Sequence, residues 1–147
     1  MNATSPPAST DPAASQQSIY DEGMAVRRQV LGDAHVDRAN AGIDDFTDEF
    51  QNMITRYAWG SIWTRPGLPR ATRSAITLTA MIAHGHWEEF AMHVRAALTN
   101  GMTRAEIKEV LLHSAIYCGV PAANSGFKIA QGVFATIDNE NPVEGAQ

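Results

Sequence analysis

The sequence predicts an all-α fold, and three observations carry that expectation. Apolar residues recur at three-to-four-residue spacing in one segment after another. Thr103-Arg104-Ala105-Glu106 has the form of a capping box, in which the threonine hydroxyl takes the glutamate amide and the glutamate reaches back to the threonine amide. No segment sustains the two-residue alternation of a half-buried strand. About six helices are expected, forming one compact domain over residues 19–136. A disordered tail of residues 1–18 precedes it and a polar tail of residues 137–147 follows.

Taken in order, Ile19–Val30 reads as a short helix closed by Gly32. Ile43, Phe46, Phe50, Met53, Ile54 and Tyr57 then form an amphipathic stripe, with Asp44 or Thr47 available as its cap. Gly60, Pro66 and Pro69 mark a loop. From Arg70 to Ala83 apolar residues point several ways, as in a buried helix, and Gly85 suits a left-handed cap. A further helix runs from about Trp87 to Leu98 and stops at Asn100-Gly101. The capping box opens a helix through Tyr117, and Gly119 and Pro121 lead into a last one over Ala122–Phe134.

The bulk numbers exclude several classes. A length of 147 residues fits one domain, and 44% hydrophobic residues is a globular value. The opening "MNATSPPASTDPAASQQS" lacks a basic segment followed by an apolar one, so it does not read as a signal peptide. Nothing approaches the roughly 20 apolar residues that span a bilayer. The formal charge of -5 argues against a nucleic-acid binder. Cys118 is the sole cysteine, which removes an internal disulfide and makes a reducing cytoplasm the expected setting.

Chemistry-bearing residues gather in two places. The stretch Arg56–Arg73, "RYAWGSIWTRPGLPRATR", holds four arginines and two tryptophans, and no acid occurs from Gln51 to Trp87. Arg65, Arg70 and Arg73, lying beside Trp59 and Trp63, suit an anion held in a partly apolar cleft; a guanidinium takes a carboxylate bidentately, and phosphate fits equally well. Arg56 has a plainer explanation, pairing with the acids of "DDFTDEF". On the next helices, His86, Glu89 and His93 share a face, as do His113 and Tyr117. A carboxylate beside an imidazole orients the ring and favours its protonated form. A solvated helix face explains the same spacing, and no tight ligand motif supports a metal on His86, Glu89, His93 and His113, so no metal is expected. Cys118 has no activating context and reads as packing.

At "FQNMITRYAWGSIWTRPGLPRATRS" and "EEFAMHVRAALTNGMTRAEIKEVLLHSAIYCGVPAANS" the chain resembles the γ-carboxymuconolactone decarboxylase family, and "VRRQVLGDAHVDRA" is similar to that family's opening. The resemblance covers about Tyr20 to Phe134, with Trp-Gly, Arg-Pro-Gly-Leu-Pro and Tyr-x-Gly-x-Pro-Ala-x-Asn as its most specific elements. It implies the all-helical alkylhydroperoxidase-like fold. Relatives with peroxidase activity carry Cys-x-x-Cys and a following His; those positions fall at His86, Glu89 and His93, so the thiols are absent. The resemblance further implies cofactor-free decarboxylation of a dicarboxylate lactone in protocatechuate breakdown, by a homo-oligomer, a trimer or hexamer. His93 is then the expected proton donor or oxyanion partner, oriented by Glu89. Arg73, Arg65 and Arg70 become carboxylate ligands, Trp59 and Trp63 an apolar wall, and His113 and Tyr117 further hydrogen-bonding groups. A lactone isomerase, a decarboxylase of another cyclic acid and a non-catalytic carboxylate-binding oligomer are the alternatives.

Overall fold

The computed structural model describes residues 12–142. Seven α-helices appear in this order: α1 (Pro12–Leu31), α2 (Asp33–Ala41), α3 (Asp48–Ile54), α4 (Arg70–His84), α5 (Trp87–Thr99), α6 (Arg104–Tyr117) and α7 (Val120–Glu140). A π-helix, Thr55–Trp63, continues α3. No strand occurs among the described residues, as the absence of alternation predicts. No described helix is long and apolar enough to cross a membrane. The chain divides into two compact units, where the sequence suggested one. Among the described residues, the first holds 12–29 and Asp33–Pro66, and the second holds Val30–Gly32 and 67–142.

In the second unit α4 packs on α5 and α6, and α7 packs on α5 and α6. Leu78, Ile82, Phe90, Val94, Ile107 and Leu111 are its buried centre. Local signals set the helix ends. Gly85 takes a left-handed φ of 68°, and its amide and that of His86 close the end of α4. The capping box forms as expected, with the Thr103 amide donating to Glu106 Oε2 at 2.7 Å and the Glu106 amide donating to Thr103 Oγ1 at 3.1 Å. The Thr103 amide, and after it the Thr103 hydroxyl, which also donates to Oε2, hold the Glu106 carboxyl below the usual carboxylate range. Asn100 Nδ2 donates to the buried Ser74 Oγ at 2.9 Å, tying the end of α5 to α4 one residue past Arg73.

The first unit departs from the sequence reading in several ways. Helix α1 begins at Pro12, so Pro12–Ser18, expected to be disordered, is helical; proline suits a first turn and Ala and Gln propagate it. The Asp33–Ala41 segment, which carries no apolar stripe, is helical as α2. Asp44 Oδ1 accepts the amides of Phe46 and Thr47 at 3.2 and 3.0 Å, and this turn keeps residues 44–47 out of the helix. Thr47 occupies the N-cap position of α3 without a side-chain capping bond. The stripe expected to be the buried face is largely exposed: Phe46 is 93% and Tyr57 67% accessible, while Thr55 and Trp59 are buried instead.

Gly60 is not in a loop but inside the π-helix. A Cβ on Gly23 would lie 2.7 Å from the Gly60 nitrogen, and one on Gly60 would lie 2.8 Å from Ile19 Cγ2, so two glycines let α1 and the π-helix touch backbone to backbone. Ser61 Oγ donates to the Arg56 carbonyl at 3.0 Å, spanning five residues as the wide coil does. At the other end of the chain, α7 runs to Glu140, past the expected stop at Phe134 and into the predicted polar tail. Arg104 and Arg95 pair there with Asp138 and Glu140 at 2.6 and 2.7 Å, which anchors the extra turns and makes Arg95 structural.

Candidate active site

Helix α5 positions His93. Phe90, Val94 and Ala97 face the core of the second unit, and His93, three residues after Phe90 and four before Ala97, falls on the same side. It is 7% exposed, the one histidine among the described residues to be buried. Glu89, one turn earlier, is exposed and forms no ion pair or side-chain hydrogen bond among the described residues, so it does not orient the His93 ring in this structure. With Glu88 it lies in the first turn of α5, where a negative charge favours the helix dipole.

Helix α4 presents Arg70 and Arg73 at its first and fourth positions, both half-buried. The helix has no acidic residue in its first turn and no side-chain cap. Cations are ordinarily disfavoured at a helix N-terminus, where free amides already attract anions. Arg70 and Arg73 bring two guanidiniums to that end of α4. The N-terminal end of α4 and the buried His93 both belong to the second unit.

His113 and Tyr117 come together on α6, ring centroids 5.0 Å apart, but both are exposed. His113 lines an open trough of about 970 Å³ between α4 and α6, walled mostly by apolar residues including Ile76, Ala80 and Leu112. His86 stacks on His84 at 5.7 Å, both exposed. The four residues weighed as metal ligands are not drawn into a cluster: no group of three or more His, Cys, Asp or Glu in the described residues can hold a metal ion. Cys118 is half-buried behind the end of α6.

In the first unit the π-helix stacks Trp59 on Trp63, centroids 5.3 Å apart and planes 27° apart. Trp59 is buried, Trp63 half-buried, and Arg65 follows, exposed. Arg56 does not pair with the neighbouring acids; its Nη1 donates to Gln16 Oε1 at 3.4 Å. The sequence reading passed over Arg27 on α1, which is 7% exposed with Nε and Nη1 lacking hydrogen-bond partners. Its place between the buried Val26 and Val30 was the available signal, since a residue next to one and three from the other falls on the buried side of a helix.

Comparisons with known proteins bear directly on these groups. The model of the Carboxymuconolactone decarboxylase family matches residues 48–132, which includes His93, Arg65, Arg70, Arg73 and the Trp59–Trp63 pair. The chain is 47% identical over 118 residues to 4-carboxymuconolactone decarboxylase of Acinetobacter baylyi, covering 80% of this chain and 88% of that protein. It is 42% identical over 113 residues to nitrosuccinic acid decarboxylase of Metarhizium robertsii, covering 77% and 79%. A 4-carboxymuconolactone decarboxylase sequence of Pseudomonas putida matches at 66% over 45 residues, which is 94% of that sequence and 31% of this chain. With more than half its length matched by one family model, and a relative 47% identical over 80% of its length, the chain belongs to the carboxymuconolactone decarboxylase family.

Proposed function

We propose that this chain is a carboxy-lyase that converts 4-carboxymuconolactone to the β-ketoadipate enol-lactone and carbon dioxide, a step of protocatechuate catabolism, and that it does so without a cofactor. The observation that carries the reading is the 47% identity to the Acinetobacter baylyi enzyme over 88% of that protein. The substrate explains why a buried histidine and arginines suffice. Its departing carboxylate sits on a carbon next to a double bond conjugated with the lactone carbonyl. When that carbon–carbon bond breaks, its electron pair moves through the double bond to the carbonyl oxygen and leaves a furan-like dienolate. A proton added to the carbon next to the carbonyl then gives the enol-lactone. The electron sink is part of the substrate.

The protein's share is binding, charge stabilisation and proton delivery. Arg73 and Arg70 hold the retained carboxylate. His93 stabilises the oxyanion or gives the proton, sheltered from water by its burial. Arg65, with the stacked Trp59 and Trp63, is a further anion ligand beside an apolar wall. Such a wall favours decarboxylation because the leaving carboxylate loses its charge in the transition state. His113 and Tyr117 are secondary candidates, since both are exposed. The nitrosuccinic acid decarboxylase relative is named for another dicarboxylate, one whose nitro group is its own electron sink. That makes nitrosuccinate the comparison substrate. After exhaustive chelation the enzyme is expected to release carbon dioxide from 4-carboxymuconolactone at an unchanged rate and faster than from nitrosuccinate. A strict need for added zinc or manganese would sink the cofactor-free mechanism, and a preference for nitrosuccinate would move the substrate assignment.

Self-association belongs to the same reading. Ile116 and Val120 in the second unit are 78% and 69% exposed, and Phe46 and Tyr57 in the first are equally open. Contacts between copies would cover such side chains and remove their apolar surface from water. A homo-oligomer, a trimer or hexamer, is expected in sedimentation equilibrium; a species of 15.9 kDa would overturn this.

A further inference from the structure

We propose that Arg27 is a carboxylate ligand of this enzyme, a substrate-binding residue of the first unit additional to the arginines of the Arg56–Arg73 stretch. The inference rests on the decarboxylase reading for the identity of the ligand, and on Arg27's own surroundings for its existence. Arg27 lies 7% exposed on α1. Its one described hydrogen bond is a long one, Nη2 to Gln51 Oε1 at 3.4 Å. Nε and Nη1 have no partner. The neighbouring Arg28, by contrast, pairs with two carboxylates, its Nη1 3.2 Å from Asp33 and 2.8 Å from Asp37. Two adjacent arginines thus differ sharply. One is neutralised at the surface, and the other is buried with no carboxylate beside it.

An arginine cannot escape this position by losing its proton. Burial, and after it the charge of Arg28, lower the Arg27 pKa and Tyr20 raises it; no carboxylate is among the groups that act on it. Its charge in turn reaches His35, which burial, Arg38 and Arg27 together hold below the usual imidazole range. The neighbourhood is therefore short of negative charge. A buried, unneutralised cation is strongly unfavourable in a purely structural role, because a well-packed apolar residue would serve better. Both bidentate edges of the guanidinium use Nη2, so once Gln51 leaves it, Nη2 with the free Nε presents two parallel N–H groups to the oxygens of one carboxylate. Gln51, half-buried and weakly bonded, is the side chain an arriving anion displaces.

The test uses full-length enzyme and the variants Arg27→Met and Arg27→Lys. Tricarballylate, a stable polycarboxylate, is the probe, with inorganic phosphate as the second arm. Binding is read by calorimetry and by the rise in thermal midpoint that a ligand of the folded state produces. Tricarballylate is expected to bind wild type, and both variants are expected to weaken that binding at least about 10-fold, Arg27→Lys because it keeps the charge and loses the fork. KM for the lactone should rise by a similar factor with kcat changed less. Without ligand, Arg27→Met should unfold at or above the wild-type temperature, since the unneutralised charge is gone. If Arg27→Met does not fold, Arg27→Lys alone carries the binding test. Unchanged probe affinity and KM in a folded variant overturn the proposal, as does tighter wild-type binding of phosphate than of tricarballylate. Failure of the decarboxylase reading looks different: wild type then binds the probe but releases no carbon dioxide from the lactone.

Discussion

Replacing His93 with alanine is expected to lower turnover by at least about 100-fold, the low end for a positioned acid or base, while substrate affinity changes little. The reason is its place. His93 is a polar residue on the buried side of α5, between Phe90 and Ala97, where a leucine would satisfy packing better. Held there, an imidazole acts on charge that develops only as the carbon–carbon bond breaks, so its loss shows in kcat. His93→Gln separates the two possible contributions: an amide still donates a hydrogen bond to an oxyanion but cannot transfer a proton. A variant that retains most of the rate as Gln and loses it as Ala assigns His93 to the oxyanion. Equal losses assign it to protonation. Glu89→Gln should do far less, because Glu89 is exposed and unbonded to the ring. Circular dichroism checks folding, and a folded His93→Ala enzyme with near-normal turnover would move the role to His113 and Tyr117.

That His93 lies on a helix was legible in the sequence because helical spacing is a local property, and the end signals of α4, α5 and α6 are local too. Gly85 needs only its own φ to close α4, and Thr103 and Glu106 meet within one turn. What spacing could not show is which residues of a helix leave the solvent. Glu89 and His93 share a face by arithmetic, yet the face turns from core to water along its length, so one is buried and the other is not. The stripe of Phe46, Phe50 and Tyr57 reads as a core face and is open, because what covers such a stripe is not written in its period. The π-helix was illegible for a similar reason. Its geometry goes with a contact between Gly23 and Gly60, separated by much of the first unit's sequence. In "VRRQV" nothing local separates Arg27 from Arg28; the acids that engage Arg28 come from α2, itself unforeseen.

Arg73 is expected to govern substrate binding as His93 governs turnover. Arg73→Gln should raise KM by roughly 10- to 150-fold, the equivalent of losing a charge-assisted hydrogen bond worth about 1.5–3 kcal/mol, with a much smaller change in kcat. The site explains the size. Arg73 is half-buried on α4, its main chain fixed by the bond from Thr77 Oγ1 to the Arg73 carbonyl at 2.9 Å and by the Asn100–Ser74 tie on the next residue. With its main chain fixed, Arg73 has less freedom to lose on binding, so removing its guanidinium forfeits most of the contact. Arg73→Lys should fall between wild type and Arg73→Gln, because the charge remains but two parallel bonds to one carboxylate cannot form. Arg70, three residues earlier and also half-buried, should show the same order with smaller effects. Raising the salt concentration should weaken wild-type binding and affect Arg73→Gln less, since part of the screened attraction is already gone. Kinetics in which Arg65, Arg70 and Arg73 each tolerate Lys and Gln without a change in KM would remove the carboxylate from this part of the chain. The retained carboxylate would then have to be held elsewhere, and Arg27 would be the first residue to examine.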